Sequence, residues 1–287
     1  MSIIETRDLS LVYGAGTELE VKALSGCSFS ADAGEVIGII GHTGSGKSTL
    51  VQLLNGLLKP TSGKVLFDGA DIWAKPKKIR NIRFEIGLVF QYPEYQLFEE
   101  TVYKDIAFGP ANKGLKGDEL DAAVREAAML TGLTDEILEK SPFDLSGGEK
   151  RRAAIAGVMA MKPRVLILDE PTAGLDPQGR ENILDRVLEY RDRTGSCVLL
   201  VSHSMEDVAR VADRVLVLSG GKLEMFAPTQ EVFSRGEELS EIGLQVPQVT
   251  QVFLELKRLG FDADASVYTV EDGLREALRL IKGGDKL

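Results

Sequence analysis

The stretch that most restricts the fold is Gly41-His42-Thr43-Gly44-Ser45-Gly46-Lys47-Ser48, a phosphate-loop pattern of glycines, lysine and hydroxyl. Its flanks supply the context this pattern needs. Glu35-Val36-Ile37-Gly38-Ile39-Ile40 is an apolar, β-branched run of strand length, as in a strand buried on both faces. Beyond the loop, apolar Leu50, Val51, Leu53, Leu54 and Leu57 mark a helical face ended around Gly56. Glycines let consecutive backbone N–H groups turn inward around an anion, and the following helix aims its positive end at the same point. Lys47 is expected along the β and γ phosphates of a nucleotide, with the Ser48 hydroxyl at one Mg²⁺ position.

A second segment completes this chemistry. Val165-Leu166-Ile167-Leu168 is an apolar strand ending in Asp169-Glu170. Open α/β sheets bind ligands at the carboxyl ends of their strands, which is where two such carboxylates fall. Asp169 is suited to organise the Mg²⁺ shell and Glu170 to polarise an attacking water as general base.

Strand-like runs at Ile86–Phe90, Arg164–Leu168, Cys197–Val201 and Arg214–Leu218 alternate with helical texture around 179–191 and 204–210. That alternation predicts a parallel sheet in an α/β domain. Residues 3 to 40 read as short strands, Ile3-Ile4, Leu9–Val12 and Gly26–Phe29, and Gly63–Phe67 leads into a hairpin-like turn at Asp68-Gly69. From about 95 to 161 the texture is helical, including 118–130 and 149–161, an insertion between two sheet strands. Past Lys222 three amphipathic helices are predicted: one from Thr229, one bearing Val249 to Leu259, and one capped by Thr269 and bearing Leu274, Leu278 and Ile281.

Of the 287 residues, 34 are Lys or Arg and 44 Asp or Glu, for a net charge of −10. Nucleic-acid partners need a basic footprint, so none is expected. The longest run without a polar residue, Ala153–Met161, has nine residues, far short of the roughly 20 that span a bilayer. The opening Met1-Ser2-Ile3-Ile4-Glu5 turns acidic at once, unlike a signal segment. Cys27 and Cys197 have no metal spacing and read as small apolar groups. Two charge clusters stand out. Lys75, Lys77, Lys78, Arg80 and Arg83 fit a solvated loop or a contact with anionic lipid, and Glu94, Glu99, Glu100 and Asp105 form an acidic stretch just after Gln91.

Leu145-Ser146-Gly147-Gly148-Glu149-Lys150-Arg151 discriminates further. Ser146 and Glu149 form a capping box, and the two glycines leave bare amides at a helix start. This is a second anion site without an obvious phosphate in the same chain. With the phosphate loop, Gln91, Asp169-Glu170, Ala173-Gly174-Leu175-Asp176 and His203, it stands in the order of the ATP-binding cassette transporter ATPases, which residues 3 to 226 resemble. Phe90-Gln91-Tyr92-Pro93-Glu94-Tyr95-Gln96-Leu97-Phe98 and Asp105–Pro110 resemble, more narrowly, the energy-coupling factor transporter ATPases. Gly41-His42-Thr43-Gly44 and Gly148–Arg152 are similar to the second of their two paralogous ATPase subunits.

The resemblance implies a P-loop NTPase fold of RecA-like type: a cassette over 1–227 with an antiparallel N-terminal β part and a helical subdomain at about 95–161, then a helical C-terminal extension over 228–287 serving dimerisation. It implies ATP and Mg²⁺ as ligands. Tyr13 would stack on adenine, and residues Gly41, His42, Thr43, Gly44, Ser45, Gly46, Lys47, Ser48 and Thr49 would cradle the phosphates. Gln91 would join Ser48 and Asp169 at Mg²⁺, and His203 would touch the γ-phosphate beside Glu170. Ser146, Gly147 and Gly148 would bind the γ-phosphate held by another subunit, with Asp176 communicating across the dimer. The implied partners are a paralogous ATPase (or a second copy), a transmembrane coupling subunit and a substrate-binding membrane subunit, with this chain peripheral on the cytoplasmic face. The implied function is ATP-driven uptake of a vitamin or transition-metal ion. The ATPase of an ordinary binding-protein-dependent importer, or a soluble cassette ATPase acting on nucleic acid, would share the chemistry and differ in partners.

Overall fold

The structure, a computed structural model, describes residues 2–284. In chain order it opens with β1 (Ser2–Tyr13), β2 (Val21–Asp32), β3 (Val36–Ile40), α1 (Lys47–Leu54), β4 (Ser62–Phe67), β5 (Ala70–Asp71), α2 (Ile79–Glu85) and β6 (Ile86–Val89). A helical block follows: α3 (Val102–Lys113), α4 (Gly117–Thr131), α5 (Asp135–Leu138) and α6 (Gly147–Met159). The chain then alternates through β7 (Val165–Asp169), α7 (Pro177–Thr194), β8 (Cys197–Val201), α8 (Met205–Val211), β9 (Arg214–Ser219) and β10 (Lys222–Pro228). It ends in α9 (Thr229–Ser234), α10 (Gly236–Glu241), α11 (Gln248–Arg258) and α12 (Val270–Gly284).

Two sheets carry the fold. The larger has the order β10-β9-β3-β8-β7-β6, and its strands from β9 to β6 run parallel. The strands β3, β7 and β8 are buried along their whole length, which is why they read as unbroken apolar runs rather than alternating ones. The smaller sheet, β2-β1-β4-β5, is antiparallel. Ile4, Leu9, Leu24 and Val65 from it pack with Leu50 and Leu53 of α1 and with Ile37 and Leu199 of the parallel sheet. A second core on the opposite face joins Val36, Leu166 and Leu200 to Ile106, Val124 and Ile155 of the helical block. Both cysteines are buried, and burial pushes the Cys27 thiol up to about 12, so neither is a thiolate.

Three expectations need correction. The first strands are not short: Ile3-Ile4 and Leu9–Val12 belong to one strand, β1, and Gly26–Phe29 lies inside the equally long β2. The polar break at Glu5–Asp8 is absorbed by register shifts, with Asp8 at φ 47° and Thr6 turned inward to accept the Phe29 N–H. The predicted helix at 149–161 starts at Gly147 and ends at Met159, because Ser146 is its N-cap. Among the described residues the C-terminal part has four helices, not three. α10 (Gly236–Glu241) is only six residues, too short to show a period, and is held by Leu239 packing with Phe233 and Leu244.

Candidate nucleotide site

The parallel sheet brings the separate motifs together. β3 leads into the phosphate loop, β7 ends on Asp169, β8 ends just before Ser202-His203, and β6 ends two residues before Gln91. Because β3, β8, β7 and β6 are successive parallel neighbours, all four exits share one sheet edge.

The loop is shaped for an anion. Gly46, at φ 104°, opens α1, and a Cβ there would sit 2.7 Å from the Ala23 carbonyl oxygen. At Gly41 a Cβ would meet the Leu218 carbonyl and Ser45 Oγ at 2.4 Å each, so close packing excludes any side chain. The buried Ser45 Oγ has no hydrogen-bond partner. Lys47 is buried, and its ammonium donates to the carbonyls of Gly41 (2.6 Å) and His42 (3.1 Å), so its charge stays over the loop. Burial pulls its pKa down, against the opposing pull of Glu170 and Asp169. His42, Thr43 and Gly44 are exposed at the rim, with His42 Nδ1 2.8 Å from the Thr43 carbonyl. Tyr13 is exposed rather than packed in the core, and its hydroxyl lies 3.3 Å from Thr49 Oγ1 on the first turn of α1.

A hard cation fits beside the loop. Ser48 Oγ donates to Asp169 Oδ2 at 3.4 Å, two oxygen donors of the kind Mg²⁺ prefers, and burial raises the Asp169 pKa. Among the described residues no group of three or more His, Cys, Asp or Glu side chains is placed to hold a metal. Gln91 is exposed, in the connection from β6 to a 3-10 turn at Pro93–Gln96.

Glu170 is the most perturbed acid of this edge. Its backbone sits at φ 53°, a left-handed conformation that a non-glycine residue adopts at a cost. Its carboxyl is buried and Oε1 lacks a hydrogen-bond partner. Burial first, and then the neighbouring Asp169 charge, push its pKa up to about 7, opposed by the His203 N–H and Lys47. Burial, then Lys47, lower the pKa of His203, which keeps its ring neutral.

The Leu145–Glu149 segment lies elsewhere, on the helical block. Ser146 caps α6 in a complete capping box: Ser146 Oγ accepts from the Glu149 N–H at 3.4 Å, and Glu149 Oε2 accepts from the Ser146 N–H at 2.8 Å. Ser146 and Gly147 are exposed, and a Cβ added at Gly147 would meet only open space. Asp176 caps α7 by accepting the Gly179 N–H and is likewise exposed.

Two residues escaped the sequence reading. Asp207 is buried on α8, where it accepts from Thr172 (2.7 Å) and Arg180 (2.9 Å), tying the stretch after Glu170 to the stretch after His203. Arg151 is buried on α6 and pairs with Glu94, so that acid of the 94–105 stretch is spent internally. Asp105 is also committed, accepting the N–H groups of Phe98 and Glu99, and Glu100 pairs with Lys104. A signal for Arg151 existed: it shares a helical stripe with Ile155 and Met159, where a charge is out of place without a partner. In the basic cluster, Arg83 donates to the Gly56 carbonyl and Arg80 to Asn112, whereas Lys75, Lys77 and Lys78 are exposed.

Residues 24–173 match the family described as ABC transporter. The chain is 51% identical over 280 residues to the energy-coupling factor transporter ATP-binding protein EcfA2 of Caldanaerobacter subterraneus subsp. tengcongensis, covering 98% of each. It is 46% identical over 270 residues to the protein of that name from Bacillus subtilis, covering 93% of this chain and 98% of the relative. Among solved structures it superposes on cbiO1 of Clostridium perfringens, part of the ABC transporter complex cbiONQ, with a TM-score of 0.76 and 39% identity, over 90% of this chain and 97% of that one. The dimeric, post-hydrolysis cassette MJ0796 bound to ADP and Pi gives a TM-score of 0.71 at 28% identity, over 79% of this chain and 98% of that one. The chain therefore belongs to the ATP-binding cassette ATPases, and within them to the ATP-binding subunits of energy-coupling factor transporters.

Proposed function

We propose that this transporter ATPase works as one half of a two-chain clasp. Two cassettes hold two ATP molecules head to tail, and hydrolysis opens the clasp to power uptake of a vitamin or transition-metal ion. The supporting observation is a division of labour. The phosphate loop, Asp169, Glu170 and His203 share one sheet edge, while the bare-amide tip Ser146-Gly147-Gly148 faces solvent on a different part of the chain. A helix start contributes only about 0.3–1 kcal/mol to an exposed anion. Closure must therefore recruit many amides and Lys47 at once, which makes it depend on the terminal phosphate.

In this reading Tyr13 stacks on the adenine, residues Gly41 to Thr49 cradle the phosphates, and Ser48, Gln91 and Asp169 hold Mg²⁺. The metal, when bound, neutralises charge on the β and γ phosphate oxygens. Glu170, its Oε1 free to accept, takes the proton of the attacking water, and His203 orients the γ-phosphate beside it. Ser146, Gly147 and Gly148 close on the γ-phosphate held by the other cassette, and Asp176 reports its state across the interface. The other cassette is a paralogous ATPase, with a second copy of this chain as the variant. No helix among the described residues is long and apolar enough to cross a membrane. The span is supplied by a coupling subunit and a substrate-binding subunit, with this chain docked on the cytoplasmic face. The extension from 228 serves the dimer. No nucleic acid takes part, in keeping with the net charge of −10.

A structure with a non-hydrolysable ATP analogue tests the clasp. Ser146 of one chain is expected against the γ-phosphate held by the loop of its partner. A triphosphate enclosed by a single protomer, with Ser146 facing bulk solvent, would overturn it. Affinity capture from detergent-solubilised membranes tests the partners: integral membrane proteins should come down with the chain.

A further inference from the structure

Arg151 lies in the second turn of α6, five residues after the Ser146 cap, and only 4% of its side chain is exposed. Its guanidinium reaches in two directions. On one side Nε and an NH₂ group donate to the two carboxylate oxygens of Glu94, at 3.1 and 2.6 Å. On the other, the remaining terminal nitrogen donates to the carbonyls of Pro171 (3.4 Å) and Ala173. Glu94 belongs to the 3-10 turn that begins two residues after Gln91, and Ala173 lies between Glu170 and Asp176. Burial, the largest single influence, pushes the Glu94 carboxyl up, but the Arg151 hydrogen bond, a backbone N–H and the Arg151 charge together hold the group below its usual range. The Glu94 carboxyl is therefore ionised. A planar fork with five fixed donors can serve a bidentate carboxylate and two carbonyls at once, whereas a lysine ammonium cannot match both directions.

We propose that Arg151 is a positioning residue. It clamps the segment after Gln91, the tip of α6 and the stretch between Glu170 and Asp176 into one mechanical unit. The exposed rings of Tyr92, Tyr95 and Phe98 give a partner something to push on, and Arg151 carries that displacement to the Ser146–Gly148 tip and the Asp176 loop together. Without it the three segments respond separately. The functional consequence rests on the clasp described above, but the mechanical linkage does not.

Amide hydrogen exchange on the full-length, nucleotide-free chain tests the linkage directly. Glu94→Gln keeps the shape of the side chain and touches neither the phosphate loop nor Ala173. Exchange over 171–176 should rise at least about threefold, because a clamp loosened at one end frees the other, while exchange over 41–48 stays as in the parent. Acceleration confined to 92–98 would overturn the proposal. Arg151→Lys, assayed in the purified transporter, should lower kcat for ATP hydrolysis about tenfold or more, as a small misplacement of reacting groups does, with KM for ATP within about twofold. An unchanged kcat, or a change in KM alone, would also overturn it. If Arg151→Lys does not fold, the Glu94→Gln exchange result decides alone. If instead the clasp is wrong, the ATP-analogue structure will show Ser146 facing bulk solvent, and the exchange result still stands or falls by itself.

Discussion

His203 Nε2 stands 3.5 Å from Glu170 Oε1, a buried oxygen that has no hydrogen-bond partner. A carboxylate oxygen left free at the end of a buried strand, beside a neutral imidazole and 33 positions from it in the chain, is suited to accept a proton rather than to stabilise the fold. Replacing Glu170 with Gln should slow hydrolysis by about 10²–10⁴, the usual worth of a general base. ATP binding, measured with a fluorescent nucleotide analogue, should be kept, because Lys47 and the loop amides are untouched. Unchanged turnover would remove Glu170 from this role.

The same carboxyl should make the nucleotide-free protein sensitive to pH. Its folded pKa is raised by burial to about 7, so between its ordinary value of 4.5 and 7 the native state holds a proton that the unfolded chain has lost. Stability from this group is thus present at low pH and is lost as pH rises through 7. Glu170→Gln removes the cost of burying the charge. In EDTA it should be more stable than the parent at pH 8 by roughly 1–3 kcal/mol, and equal to it near pH 4. Denaturant melts of both proteins at the two pH values check this; equal gaps at pH 8 and pH 4 would show that the carboxyl is not buried as described.

At the α6 tip, chemistry and capping can be separated. Ser146→Asp retains an N-cap acceptor but loses the Oγ–H bond to Glu149 Oε2 and faces that carboxylate, so folding should weaken by about 1–2 kcal/mol without being lost, and it sets a negative charge where a γ-phosphate is to dock. ATP binding to the isolated chain should persist, while ATP-driven pairing with the partner cassette should fail in size-exclusion chromatography. Normal pairing would mean that the tip does not meet phosphate.

The extension makes a separate prediction. Val270, Leu274, Leu278 and Ile281 form an exposed apolar stripe along α12, whose other face packs on α11 through Ala277 and Leu280. If this stripe is the nucleotide-independent half of the dimer, Leu274→Asp with Leu278→Asp should weaken pairing without ATP at least tenfold, or about 1.4 kcal/mol. The melting temperature of the single chain should change little, since both positions already face solvent. Analytical ultracentrifugation of mixed cassettes gives the dissociation constant.

Packing under the site is equally testable. Gly38 on β3 faces α8, and a Cβ there would come within 2.4 Å of Val208 Cγ1. Gly38→Ala should therefore cost about 1–3 kcal/mol, the range for overpacking a filled core. It should also displace α8 and its neighbour His203, lowering kcat along with stability. A thermal melt matching the parent would show that the strand can yield.

The parts read directly from the sequence are those whose physics is local. A phosphate loop needs glycines at fixed offsets between a strand and a helix, a capping box needs Ser146 and Glu149 three residues apart, and Asp169-Glu170 needs only an apolar strand before it. Each can be recognised within about ten residues because backbone conformation there depends on neighbours. Tertiary structure decided what depends on distant partners. It joined β1 into one bulged strand, since pairing with β2 and β4 offsets the cost of its irregularities. It held the six-residue α10 through Leu239 in a core no local period shows. It paired Glu94 with Arg151 across 57 positions of sequence, committing a half-buried acid of the 94–105 stretch to an internal partner. Arg151 is held there because the surrounding core has taken it out of water and it must find a partner, and that exclusion is a property of the packed chain rather than of any segment.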